Sequence, residues 1–207
     1  MSARIRRAGA AVTVAVVAMI GACQKGGSTA ALPVLGTVPA FTLMADSGQP
    51  ISASDLAGHV WVADFVFTRC QGICPALTTH MKRVQTTLEG GDARAVRLVS
   101  FSVDPLHDTP PVLRAYAERF GANPERWQFV TGDRAALYAL IQDGFMLAVV
   151  PQPEGREPGA GELITHSDRF VLVDGSLQIR GYYHGTDAAD VDRLLADIHT
   201  LTGGSTP

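Results

Sequence analysis

Phe67-Thr68-Arg69-Cys70-Gln71-Gly72-Ile73-Cys74-Pro75 joins two segments of opposite character. Before it, Val60 to Phe67 is a nearly unbroken apolar run, the pattern of a central strand covered on both faces. After it, Leu77, Met81, Val84 and Leu88 recur at helical spacing until Gly90-Gly91 ends the pattern, which predicts a helix packed on that strand. The two cysteines therefore sit at a strand-to-helix junction. Unpaired amides and the positive dipole end of a helix start favour thiolate over thiol there. Residues four apart across a first turn face the same way, so the sulfurs can approach closely enough to bond each other or to share a metal. Position alone leaves both chemistries open.

Outward from this junction the elements alternate. Phe41 to Met44 and Gln49 to Ile51 flank Asp46-Ser47-Gly48 and read as a small hairpin where the domain begins. Val96 to Val103 is a second buried strand, Pro110 and Pro111 open a helix reaching Phe120, and Trp127 to Val130 is a short strand. Asp133 is placed to cap the next helix. Phe170 to Val173 and Gln178 to Tyr182 flank the turn signal Asp174-Gly175, and Val191 to Ile198 forms a final helix. Strand, helix, strand, helix, then hairpin and helix is the plan of an α/β, thioredoxin-like fold: a central mixed sheet flanked by helices, extended by an N-terminal β-hairpin. The Pro- and Gly-rich stretch Pro151 to Gly161 interrupts it as a long surface loop.

The chain of 207 residues, 46% hydrophobic and 18% charged, has apolar material for one sizeable core. Its formal charge of -3 includes Arg4, Arg6 and Arg7, which lie in a segment expected to be removed, so the mature chain is more acidic still. That balance argues against nucleic acid as a partner, since neutralising phosphates needs a basic face. Those arginines precede an apolar run from Ala8 to Ile20 that ends in Gly21-Ala22-Cys23, a signal-peptide layout too short to span a bilayer comfortably. The small residues before Cys23 resemble a bacterial lipobox, in which the cysteine is acylated and becomes the first mature residue. This divides the chain into a signal peptide (1–22), a Gly/Ser/Ala-rich flexible tether carrying the lipidated Cys23 (23–37), and one globular domain (38–203). Of three cysteines, Cys70 and Cys74 then remain as a close pair. In an exported protein such a pair is redox-active or metal-binding rather than a structural staple, because so small a loop gains little from closure.

Three intervening residues, where dedicated thiol oxidoreductases of this fold usually carry two, tilt the reading towards ligation. Two soft thiolates suit Cu(I), and an added imidazole makes a set that also holds Cu(II). Zinc is less well served, since a structural site wants a fourth protein ligand and no third free cysteine exists. Among six histidines, His80 and His199 fall on helices and His59 on a turn. His166 lies in Ile164-Thr165-His166-Ser167, just before the final hairpin, where thioredoxin-like proteins commonly place a Thr-Pro facing the redox cysteines. An imidazole there reaches both sulfurs, which makes Cys70, Cys74 and His166 the expected metal ligands.

These residues resemble the Sco/SenC family of exported copper proteins, over most of the chain after the tether. Phe67-Thr68, Cys70 and Cys74-Pro75 look like its metal motif, and Ser102-Val103-Asp104-Pro105-Leu106-His107-Asp108-Thr109-Pro110 looks like its second signature. His166-Ser167 matches its histidine segment; Val171 to Asp174 and Ile179 to Tyr183 are similar to its closing hairpin. The resemblance implies one copper per chain, bound by two cysteines and a histidine. It also implies a part in delivering copper to the dinuclear copper centre of cytochrome c oxidase, or in reducing that centre's cysteines. Asp104 and Asp108 read as a capped turn leading into a helix in preference to direct ligands. Two departures stand out: Gln71-Gly72-Ile73 where members often carry Pro-Asp-Val, and His184 where they often carry an acidic residue.

The expected role is thus a copper metallochaperone or assembly factor rather than a conventional enzyme. Its partner would be the copper-bearing subunit of cytochrome c oxidase or another exported copper protein. It would be held on the membrane by its lipid, facing the periplasm or outer cell surface, as a monomer suited to transient delivery. The competing reading is a thiol-disulfide reductase cycling Cys70 and Cys74 without a physiological metal; a thiol peroxidase of the same fold is a third.

Overall fold

A computed structural model describes residues 31–90, 95–149 and 167–203. Among these, eight strands form one sheet in the order β1-β8-β7-β4-β5-β6-β2-β3. The strands are β1 (Gly36–Thr37), β2 (Thr42–Ala45), β3 (Pro50–Ser52), β4 (Trp61–Val66), β5 (Arg97–Ser102), β6 (Trp127–Thr131), β7 (Arg169–Val173) and β8 (Gln178–His184). The helices are α1 (Ala53–Leu56), α2 (Cys74–Thr87), α3 (Pro110–Arg119), α4 (Arg134–Ala139) and α5 (Ala188–Thr202), with a π-helical turn at Leu140–Gly144. This is a thioredoxin-like mixed sheet with an N-terminal hairpin. No helix among the described residues is long and apolar enough to cross a membrane.

β4 is central, pairing in parallel with β5 along its whole length and antiparallel with β7. Every one of its residues is buried, which is why its sequence is an apolar run rather than an alternation. Alternation nevertheless sorts its side chains between two cores. On one face Trp61 and Phe65 meet Phe101 and Phe145, whose rings lie 5.1–6.5 Å apart in stacked, tilted and edge-on pairs. Each fully buried ring contributes about 1.5–3 kcal/mol by leaving water. The opposite face carries the row Asp64, Ser100 and Phe129, brought into line by the β4–β5–β6 register. Over that row lie α2 and α3, tied together by the Thr78–Tyr116 hydroxyl pair at 2.8 Å.

α2 buries Leu77, Met81 and Val84 on the stripe read from the sequence, and α5 buries Val191, Leu194, Leu195 and Ile198. Asp133 caps α4 by accepting from the Ala136 amide at 2.9 Å, as its position predicts. The β2–β3 hairpin is part of the sheet, because β2 pairs with β6 and the Asp46 amide donates to Phe129 O at 2.7 Å.

Three details differ from the sequence reading. Gly36 and Thr37, assigned by composition to the tether, pair with Ile179 and Gln178 of β8. The turn after β7 takes its left-handed residue at Leu177 (φ 61°), while Gly175 serves a close approach: its carbonyl accepts from the Gly58 amide at 2.8 Å. A Cβ at Gly175 would stand 3.1 Å from the Gly58 carbonyl carbon. The π-helical turn carried no signal that composition or periodicity registers.

Candidate metal centre

The chain leaves β4 at Val66, turns back through Phe67–Ile73, and enters α2 at Cys74. The Cys70 amide donates to Phe67 O at 3.2 Å, closing the turn. Ile73 is the N-cap and offers no side-chain acceptor, and Pro75 occupies the first turn, where its missing N–H costs nothing. Both cysteines are reduced, outside any disulfide, and hydrogen-bonded neighbours. The proximity argued from spacing is therefore present. Cys70 retains 9% of its surface and Cys74 none.

The expectation that the helix start would favour thiolate is corrected at Cys74. Burial pushes its thiol well above the ordinary cysteine range, and the hydrogen bond with Cys70 and the nearby charges of Cys70 and Asp64 push the same way. A hydrogen bond from the Phe67 amide pulls in the other direction and loses. Without metal, Cys74 is a protonated, water-shielded group rather than an activated nucleophile.

Asp104 and Asp108 do something the sequence reading missed. The turn is there, with the His107 and Asp108 amides both returning to Asp104 O at 3.0 and 2.9 Å. Neither carboxylate caps α3, however, whose N-cap is Thr109 with no side-chain cap bond. Both reach across to the cysteine loop instead. Asp108, fully buried, accepts from the Thr68 amide at 3.2 Å, the Thr68 hydroxyl at 2.6 Å and the Ser102 hydroxyl at 2.7 Å. Asp104 accepts from Arg69 Nη2 at 2.6 Å and Nε at 3.1 Å, and burial holds its carboxyl above the ordinary value while Arg69 pulls partly back. His107 Nδ1 lies 3.1 Å from Asp108 Oδ1. The ligand atoms of Asp104, His107 and Asp108 converge within 4.8 Å, but the carboxylates are taken up by Arg69, Thr68 and Ser102. The group is a clamp on residues 68–69. The available sequence signal was polar Thr68 and Arg69 at the end of a buried strand, where buried polar groups need partners.

His166 and Cys23 lie outside the described residues, as does the stretch Pro151 to Gly161. The register Val171↔Ala63 places the start of β7, just after His166, at the end of the sheet from which the cysteine loop departs. Of the described histidines, His107 lies beside the cysteine loop, its Nδ1 3.4 Å from Thr68 Oγ1, while His80 Nδ1 contacts Gly185 O at 2.6 Å and His184 Nδ1 contacts Asp168 Oδ2 at 2.7 Å.

A family model described as SCO1/SenC matches residues 32–203. The chain belongs to the SCO1/SenC family. Among curated relatives, it is 32% identical to the "SCO1 protein homolog" of Bacillus subtilis, over 87% of this chain and 90% of that protein. It is 30% identical to a "Putative copper-binding protein" of Stutzerimonas stutzeri, over 81% and 79%. Among solved structures, a SCO1/SenC family lipoprotein from Bacillus anthracis superposes with a TM-score of 0.72 at 30% identity, over 81% of this chain and 96% of that one. BsSco, described as a Sco-family cytochrome c oxidase assembly protein with a disulfide switch, superposes with a TM-score of 0.70 at 31% identity, over 83% and 97%.

In this SCO1/SenC protein the thiol site continues inward. Thr78 Oγ1 donates to Cys74 O at 2.8 Å and meets Tyr116 Oη at 2.8 Å. Burial pushes the Tyr116 hydroxyl up, so it stays protonated beneath the thiol. The two sulfurs at the surface end of this network suit a soft monovalent ion.

Proposed function

We propose that the chain is an exported, lipid-anchored copper metallochaperone that delivers copper to, or matures, the dinuclear copper centre of cytochrome c oxidase. Copper is its cargo, one per chain, held as Cu(I) or Cu(II) by Cys70, Cys74 and His166. Acylated Cys23 keeps the domain at the membrane, facing the periplasm or outer cell surface. The observation that carries this reading is the pair of adjacent reduced thiols in the loop after β4, whose residues 68–69 are held by a clamp from the second signature. Relatives described as copper-binding, as a lipoprotein and as an oxidase assembly protein support it.

The residues suggest how loading works. A protonated, buried Cys74 resists stray oxidation, and Cu(I) must displace its proton, so uptake releases protons and strengthens as pH rises. The clamp holds residues 68–69 through partners other than the thiols, so metal transfer need not reorder them. Anaerobic titration with Cu(I) is expected to saturate near one equivalent, and Cu(II) to give a thiolate-to-copper absorption band that His166→Ala weakens. No band, or a band indifferent to that substitution, would refute the ligand set.

A second reading is favoured by the Cys70–Cys74 hydrogen bond: a dithiol reductase with no physiological metal. It requires turnover of a protein disulfide at a rate independent of His166. Such turnover by a protein that retains no copper would replace the first reading.

A further inference from the structure

Large exposed apolar side chains mark contact surfaces when they cluster. Among the described residues Ile73 immediately precedes Cys74, Leu106 lies in the turn between Asp104 and Asp108 and Met44 on the outer hairpin, but Val34, Leu35 and Met146 gather where the chain enters the domain. Gly36 has no side chain, and a Cβ there would stand 2.6 Å from Met146 Cε, so Met146 lies across β1. Val34, two residues back along an extended chain, emerges on the same side. Phe145 turns wholly inward, whereas Met146 adopts a left-handed φ of 54° and leaves 52% of its surface to solvent. Leu147, Tyr182 and Arg169 complete a shallow hollow beside it. Tyr182 donates its hydroxyl to Phe145 O at 3.1 Å, so its polar end is satisfied.

We propose that this surface, Val34, Met146, Leu147 and Tyr182 with Arg169 at its rim, rests on the bilayer and orients the domain there. The proposal rests on the lipid-anchor reading of Cys23. Aliphatic side chains, a tyrosine and a cation on one face are the chemistry that partitions at a headgroup boundary. The chain also supplies the reason this face meets lipid first. Only residues 24–33 separate Cys23 from Val34, and ten residues span at most about 36 Å. Arg180 fixes the point where that chain enters, donating Nη1 to Leu32 O at 2.7 Å and Nε to Asp174 at 2.6 Å. A short leash ending in apolar side chains brings those side chains to the surface at high effective concentration, so three or four of them suffice where a free domain would not bind.

The test uses the full mature chain in two forms, acylated at Cys23 or carrying an N-terminal hexahistidine bound to nickel-chelating lipid. Each is mounted on phosphatidylcholine/phosphatidylglycerol vesicles, with or without brominated acyl chains. Met146→Trp supplies a reporter on the patch and Met44→Trp a reporter on the outer hairpin, each read after subtraction of the parent's emission from buried Trp61 and Trp127. Brominated lipid is expected to quench the Met146→Trp emission about twofold, with a blue shift, and to leave Met44→Trp unchanged. Equal quenching of the two reporters, or none at Met146→Trp on vesicles that float with protein, overturns the proposal. So does a Met146→Trp emission already blue-shifted without vesicles, since the chain itself would then cover the patch. Failure of the anchor reading shows separately, as a missing acyl mass on Cys23, while the histidine-tethered form still reports on the patch.

Discussion

Asp108→Ala removes the centre of the clamp. The carboxylate accepts from the Thr68 amide, the Thr68 hydroxyl and the Ser102 hydroxyl, in a place without access to water. Hydrogen bonds to a charged group contribute about 1.5–3 kcal/mol each. Thr68 is only partly buried, so its hydroxyl can turn to solvent, and about two bonds are lost outright. The expected cost is about 3–5 kcal/mol, a large share of the 5–15 kcal/mol typical of a domain. Asp108→Asn keeps one acceptor for Thr68 and presents an amide to Ser102, whose hydroxyl must then accept; about 1–2 kcal/mol is expected. Urea unfolding of the copper-free protein, followed by the fluorescence of buried Trp61 and Trp127, measures both. A loss below about 1 kcal/mol for Asp108→Ala refutes the clamp. So does strict additivity with Thr68→Val, because residues sharing a bond network couple by about 0.5–3 kcal/mol.

Arg69→Ala leaves the buried Asp104 carboxyl without its cation, so a value already raised by burial rises further. A raised folded value means stability is present at low pH and lost as pH climbs through it. The variant should therefore match the parent near pH 4 and fall behind by about 1 kcal/mol at pH 7; a deficit independent of pH contradicts this. In the copper-free protein, iodoacetamide at pH 8 should modify Cys74 more than about 100-fold more slowly than free cysteine, read by peptide mass mapping, because its thiol is held protonated. Equal rates would show that the helix start outweighs burial. Gly185→Ala places a Cβ 2.6 Å from Leu77 Cδ2 and 2.7 Å from Phe170 Cε1, and should cost about 1–3 kcal/mol in the same unfolding assay.

The parts of this fold legible in the sequence are those set by burial period and local turn chemistry. Val60 to Phe67 and Val96 to Val103 announced strands buried on both faces, and the stripe from Leu77 to Leu88 announced α2, because each pattern needs only the residues it contains. The cysteine pair was legible for the same reason. What escaped depends on partners far along the chain. Asp108 meets Thr68 across 40 residues, and two acids beside a proline and a helix look locally like a cap. The protonation of Cys74 escaped because the helix start is visible in sequence and the depth of burial is not. Gly36–Thr37 escaped because two residues carry no period, and their strand exists only where β8 lends its edge.

The two outermost strands are the shortest of those described, with two residues in β1 and three in β3, and β3 begins with Pro50, which has no amide hydrogen to give. A second copy pairing onto either of these strands would therefore meet only two or three residues of backbone donors and acceptors. Extension of the sheet from molecule to molecule, the common route to fibrils, thus finds little to grip on either outermost strand.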